Sequence, residues 1–124
     1  YFKTTNISYS PNAAANSILS YIKGNFDASF YSTYVGKQYL DNTSDNTRSI
    51  DAYFVNNLRL GYSLKLKPIQ SIDFNILINN IFNAEYETNG YNWYTYYLDG
   101  KRTNEKRYFP QAGRNLMYTV TVKL

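Results

Sequence analysis

From Asn115 to Leu124 polar and apolar residues alternate without a break. Leu116, Tyr118, Val120, Val122 and Leu124 fall on one side, and Asn115, Met117, Thr119, Thr121 and Lys123 on the other. Successive side chains on a strand point to opposite faces of the sheet, so this spacing predicts a strand with one apolar and one polar face. The same period appears twice more. Leu58, Leu60, Tyr62, Leu64 and Leu66 alternate with Asn57, Arg59, Gly61, Ser63 and Lys65, and Ile72, Phe74, Ile76 and Ile78 with Ser71, Asp73, Asn75, Leu77 and Asn79. Lys67-Pro68-Ile69-Gln70 between them predicts a tight turn, because proline has no N–H to give a central strand. Phe26 to Tyr39 predicts a long aromatic strand whose alternation is clear as far as Tyr31 and mixed beyond it. Ala13 to Ile22 carries a weaker strand pattern with no assignable faces, and Lys23-Gly24-Asn25 reads as a turn.

The connections have a pattern of their own. Those near 23–25 and 67–70 are short; those near 41–49 and 83–113 are long, polar and rich in Asn, Tyr, Gly and charge. Residues 1–12 read as a polar loop ending in Ser10-Pro11-Asn12. Short and long connections alternating along the chain predict an antiparallel up-and-down meander of about five long strands. Strands of this length cover the roughly 9–11 residues that cross a bilayer, whereas strands of soluble sheets are usually nearer five or six. Arg59, Lys65, Asp73, Asn75 and Asn79 lie opposite the apolar residues, as lumen-facing residues do in a transmembrane β-barrel. The expected fold class is therefore all-β, a section of a large transmembrane β-barrel with short periplasmic turns and long outer loops. Membrane barrels begin at eight strands, since closure is what satisfies edge hydrogen bonds in lipid. The chain is accordingly expected to be the C-terminal piece of a larger barrel. An oligomeric barrel built from several copies is the other way to close.

Composition narrows the chemistry. The chain has 124 residues, enough for one domain, with no Cys, no His and 19% aromatic residues. It begins at Tyr1, which is expected to mark a processed or cut terminus. Mean hydropathy is −0.52, as expected where alternation halves the apolar content of each strand. The net charge is +4, with Lys101, Arg102, Lys106 and Arg107 clustered, which reads as a solvated loop rather than a nucleic-acid surface. Nine acidic residues include Glu85/Glu87 and Asp99/Glu105, which sit in polar segments with no flanking site signature. Without His or Cys the commonest catalytic base and the strongest nucleophile are missing, and no Gly-rich phosphate loop is present. No catalytic residue, metal site or cofactor is expected, and the chain is not expected to be an enzyme.

Two late motifs carry a family resemblance. Asn79-Asn80-Ile81-Phe82-Asn83-Ala84-Glu85-Tyr86, followed by Asn89-Gly90-Tyr91, resembles a segment near the end of TonB-dependent outer-membrane receptors. Tyr108-Phe109-Pro110-Gln111-Ala112-Gly113-Arg114-Asn115 resembles that family's approach to its last strand, and 34–43 is similar to the matching region of Bacteroidetes receptors. Leu124 stands where the family usually ends in Phe, and Gly113 where many members have Pro. The resemblance covers about Pro11 to Leu124. It implies that residues 1–124 are the C-terminal portion of a 22-stranded barrel of the Gram-negative cell outer membrane, with the N-terminal plug domain absent. The implied activity is import of a scarce ligand, such as a siderophore, vitamin or glycan. The implied partners are outer-membrane lipid, the rest of the barrel and its plug, TonB through the missing N-terminal part, and the barrel-assembly machinery. Nucleic acid is not among them.

Within that frame Leu116, Tyr118, Val120, Val122 and Leu124 are expected to face lipid and to serve as the C-terminal assembly signal, read by strand addition. Asn79, Asn80 and Asn83 are expected to shape a turn, since Asn tolerates positive φ and bonds neighbouring backbone. Arg114 is expected to pair with Glu85 or Glu87. Tyr91, Trp93, Tyr94, Tyr96 and Tyr97 form the candidate ligand surface, because aromatic rings are large, stiff platforms for sugars or organic chelates; the alternative is that they serve as an interfacial aromatic girdle and as packing within a long loop. The competing expectation is a soluble β-sandwich that binds carbohydrate through these aromatics and buries Ile72, Phe74, Ile76, Leu116, Val120 and Val122 between two sheets.

Overall fold

The computed structural model describes residues 5–124, without the side chains of Trp93, Tyr94, Thr95, Arg102 and Asn104. Among the described residues there is no helix. The strands are β1 (Ala14–Lys23), β2 (Phe26–Val35), β3 (Gln38–Tyr39), β4 (Ser49–Ile50), β5 (Tyr53–Leu64), β6 (Ser71–Asn79), β7 (Glu87–Leu98), β8 (Lys101–Pro110) and β9 (Asn115–Lys123). They divide between two compact units, one of Asn16–Thr33, Phe54–Ala84 and Ala112–Leu124, the other of Tyr1–Ala15, Tyr34–Tyr53 and Glu85–Gln111.

The first unit is built on a five-stranded sheet in the order β1-β2-β5-β6-β9. Neighbours in this sheet follow one another along the chain once the separate pairs β3–β4 and β7–β8 are passed over, so it is the expected meander. β1 and β2 are joined through Gly24-Asn25, with Gly24 at φ +59°, where a side chain would be strained. Ser63 N–H donates to Asn25 C=O at 2.8 Å and Gln70 N–H to Lys123 C=O at 2.9 Å, so both short turns are stitched to neighbouring strands. The Lys67–Pro68 peptide is cis.

Register decides what each face is made of. β5, β6 and β9 pair antiparallel, placing Leu58, Ile78 and Leu116 in one row, Leu60, Ile76 and Tyr118 in the next, then Tyr62, Phe74 and Val120, then Leu64, Ile72 and Val122. The intervening rows belong to the other face: Arg59, Leu77 and Met117; Gly61, Asn75 and Thr119; Ser63, Asp73 and Thr121. A slip of one residue would mix these sets, so the three alternations reinforce one another.

The second unit corrects one expectation. The segment 83–113, read as a long loop, contains a hairpin of two long strands, β7 and β8. Leu98 pairs with Lys101 across Asp99-Gly100, whose φ angles are 49° and 72°. Two consecutive positive φ values are what a two-residue hairpin turn requires, and Asp-Gly is a favoured sequence for it. The dipeptide was the readable signal. The strands were obscured because Tyr, Asn and charged residues occupy both faces.

In the same unit the loop after β3 is ordered by its own side chains. Asp41 Oδ1 accepts from Thr43 N–H at 3.0 Å and from the Thr43 hydroxyl, and Asp45 Oδ1 accepts from Thr47 N–H and hydroxyl, both at 2.8 Å. Two Asp-Asn-Thr triplets thus make the same local turn twice. Arg48 Nη1 meets Asp41 Oδ2 at 2.7 Å, and Leu40 and Ile50 are buried beside this loop.

Candidate functional site

The apolar face of the sheet is open. None of the residues in its four rows is buried, and Phe74 and Ile76 are 42% and 40% exposed even in an interior strand. Leu116, Tyr118, Val120 and Val122 share this face at 53–77% exposure, and Leu124, just past β9, is almost fully exposed. From Leu58 to Leu64 the apolar stripe runs about 20 Å along β5 at the usual rise per residue. Tilted like a barrel strand it would cover a height of about 15 Å.

The polar face is cross-linked instead. Arg59 Nη1 donates to Asp27 Oδ2 and Arg59 Nη2 to Asn75 Oδ1, each at 2.9 Å, joining β2, β5 and β6. Asp73 takes Lys123 Nζ at 2.6 Å and the Ser63 hydroxyl at 2.5 Å, joining β5, β6 and β9. Between the two groups lies a depression of about 290 Å³. Gly61 makes the first group possible, since a Cβ there would collide with the Asp27 carboxylate. Arg59, Asp73 and Asn75 were readable as a polar face from alternation. Asp27, Ser63, Gly61 and Lys123 were not readable as their partners, because strand register is absent from the sequence.

The Asn-rich turn after β6 is a structural device, as expected. Asn80 and Asn83 both have positive φ, at 50° and 54°. Asn80 is only 3% exposed; its side chain donates to Ala84 C=O and accepts from Ala84 N–H, both at 2.8 Å. Its own N–H is taken by Asn57 Oδ1 at 2.9 Å. Asn79 donates to Asn115 Oδ1 at 2.9 Å across the β6–β9 pair. Asn83 Oδ1 accepts from Arg114 N–H at 2.8 Å. A Cβ at Gly113 would press on that same oxygen at 2.8 Å, so glycine there leaves Asn83 room to reach Arg114. Arg114 is therefore anchored by its backbone, and its side chain is exposed.

The candidate ligand aromatics lie on β7 rather than on a loop. Tyr91 opposes Arg107 and Tyr96 opposes Thr103, with an irregularity between Asn92 and Tyr94. That bulge puts Tyr91 and Tyr96 on one face of the ribbon, where plain alternation would separate them. Tyr91 packs on Phe109 with ring centroids 5.9 Å apart. Tyr97, at 74% exposure, falls on the opposite face. The side chains of Trp93 and Tyr94 lie outside the described residues. Three of the five tyrosine and tryptophan positions thus divide two to one between faces. On the Tyr97 face, Tyr108 lies across Gly90, where a Cβ would meet its ring at 2.7 Å, and donates to Ser49 C=O at 3.0 Å. Lys106 sits 5.5 Å above the Tyr108 ring.

No protein-family model, no curated protein and no solved structure matches this chain.

Proposed function

We propose that this chain is the C-terminal wall segment of a TonB-dependent receptor in the outer membrane, part of an importer of a scarce ligand such as a siderophore, vitamin or glycan. The observation that carries this reading is the unbroken apolar face of β5, β6 and β9, exposed opposite a polar face. Lipid is the solvent for which such a face is suited, and a hydrated lumen suits the ion-paired face behind it. Two further features support it. β1 and β9 are the outermost strands of a sheet with too few strands to close, so continuation by the rest of a barrel would satisfy their outer edges. The two motifs of the family resemblance also meet in space, through Asn79–Asn115 and Asn83–Arg114. In this role the segment does no chemistry. It supplies wall, lumen lining and the β7–β8 ribbon, while TonB and the plug act through parts of the receptor outside this chain and the assembly machinery reads β9.

The soluble-sandwich reading is less well supported, because Phe74, Ile76, Leu116, Val120 and Val122 are exposed where it needs them covered by a second sheet. The test uses the absence of cysteine in these 124 residues, with any cysteine elsewhere in the intact protein first replaced by serine. Single cysteines placed in turn from Leu116 to Val122 of the intact protein, in bilayers, are labelled with a fluorophore and quenched by spin-labelled lipid. Quenching that alternates with period two, strong at 116, 118, 120 and 122, is expected. Uniform weak quenching, or a protein that stays out of the membrane fraction, would refute the proposal.

A further inference from the structure

The apolar face carries a dent at the end of the sheet where the short turns lie. It is a groove of about 190 Å³ lined by Phe26, Leu60, Gly61, Tyr62, Phe74 and Ile76, with almost no polar surface. Its rings occupy the Tyr62–Phe74 row, one row in from the Leu64–Ile72 row that borders the turn. One pleat repeat along a strand is about 7 Å, roughly the depth at which an acyl chain begins below its headgroup.

The turns beside this groove are cationic. Lys23 ends β1, three residues before Phe26, and Lys67 lies in the β5–β6 turn. Ser63, next to the last residue of β5, donates its N–H to Asn25 C=O at 2.8 Å, so the β1–β2 turn lies against the end of β5 from which the turn with Lys67 departs. Lys23 follows Ile22, which lines a depression on the polar face with Ser20, so alternation places Lys23 on the apolar side. Lys65 belongs to that polar-face depression. The nearby carboxylates are already engaged, Asp27 by Arg59 and Asp73 by Lys123, whereas no ion pair is described for Lys23 or Lys67.

We propose that this corner of the sheet is a binding site for an anionic phospholipid. Its acyl chain lies in the groove among Phe26, Tyr62 and Phe74, and its phosphate sits between Lys23 and Lys67. The inference rests on the membrane-wall reading above. It adds which lipid the wall retains and where. The chemistry follows from the juxtaposition: apolar rings at acyl depth below cations at headgroup depth select a molecule that is both. A zwitterionic lipid would fill the groove and offer the same phosphate, but the cation of its headgroup would be repelled by the two lysines.

The test is native mass spectrometry of the intact protein in detergent, with phosphatidylglycerol or phosphatidylcholine of equal chain length added. Wild-type protein is expected to retain phosphatidylglycerol preferentially. The Lys23→Gln/Lys67→Gln double variant is expected to lose that preference by roughly fivefold for each lysine removed. Lys65→Gln, on the polar side, is the control and should keep it. Equal retention of the two lipids by wild type, or a loss on Lys65→Gln as large as in the double variant, would overturn the site. So would displacement of the lipid by millimolar inorganic phosphate, since the acyl chain would then contribute nothing. The period-two quenching experiment fails separately if the chain is not in the membrane wall at all, so the two failures are distinguishable.

Discussion

The side-chain oxygen of Asn83 accepts the backbone N–H of Arg114 at 2.8 Å, across 31 positions of sequence. This bond sets where β9 begins relative to the end of β6. Asn80, three residues earlier, holds the turn that presents Asn83, through paired bonds to both backbone groups of Ala84. The two asparagines differ in burial, and that difference ranks their substitutions. Asn80→Ala strands partly buried backbone groups of Ala84 and forces alanine to positive φ, so it should cost about 2–4 kcal/mol. Asn83→Gly keeps the backbone conformation and loses one solvent-accessible bond, about 1 kcal/mol. Unfolding midpoints of the intact protein in urea check the order; equal losses would mean that the turn does not depend on Asn80.

Gly61 and Asp27 should be coupled. A methyl group at position 61 occupies the place of the Asp27 carboxylate and would drive it off Arg59. Because the pair is partly exposed, losing it alone should cost no more than about 1 kcal/mol, with displacement strain added. Gly61→Ala is expected to destabilise the wild type and to be nearly neutral in an Asp27→Ser background. Additive losses in that double-mutant cycle would exclude the steric link.

Val120 and Thr119 are neighbours on β9 facing opposite sides. If the apolar face meets lipid, Val120→Lys should lower the assembled fraction in the outer membrane, reflecting about 2–4 kcal/mol at the bilayer midplane. Thr119→Lys should assemble normally. Heat-modifiable mobility in gel electrophoresis of the membrane fraction reads both, and equal assembly would count against the lipid-facing assignment.

Asp41 gives its loop a pH dependence. Burial works to raise its pKa, but hydrogen bonds from Thr43 and Arg48 outweigh it, and the carboxyl lies below its usual value of 3.8. The folded-state pKa is depressed, so the stabilisation is full above the ordinary aspartate range and disappears as pH falls through the folded value. Hydrogen exchange across residues 40–49, corrected for intrinsic rates, should show steady protection down to about pH 5 and loss below about pH 4. Asp41→Asn should flatten this dependence; an unchanged profile would place its origin elsewhere.

Alternation alone determined the all-β class, the three clearest strands and the separation of Leu116, Tyr118, Val120 and Val122 from Thr119 and Thr121, because the two-residue period is a local property of the backbone. The Asn turn was legible for the same reason: positive φ favours that residue type locally. Pairing was not local. Which rows lie side by side, why Asp27 finds Arg59 over a glycine, and how a bulge brings Tyr91 and Tyr96 to one face while leaving Tyr97 on the other all depend on register between distant segments. The tertiary structure decided these, because side chains tens of residues apart meet only after backbone hydrogen bonds have fixed the strands against one another.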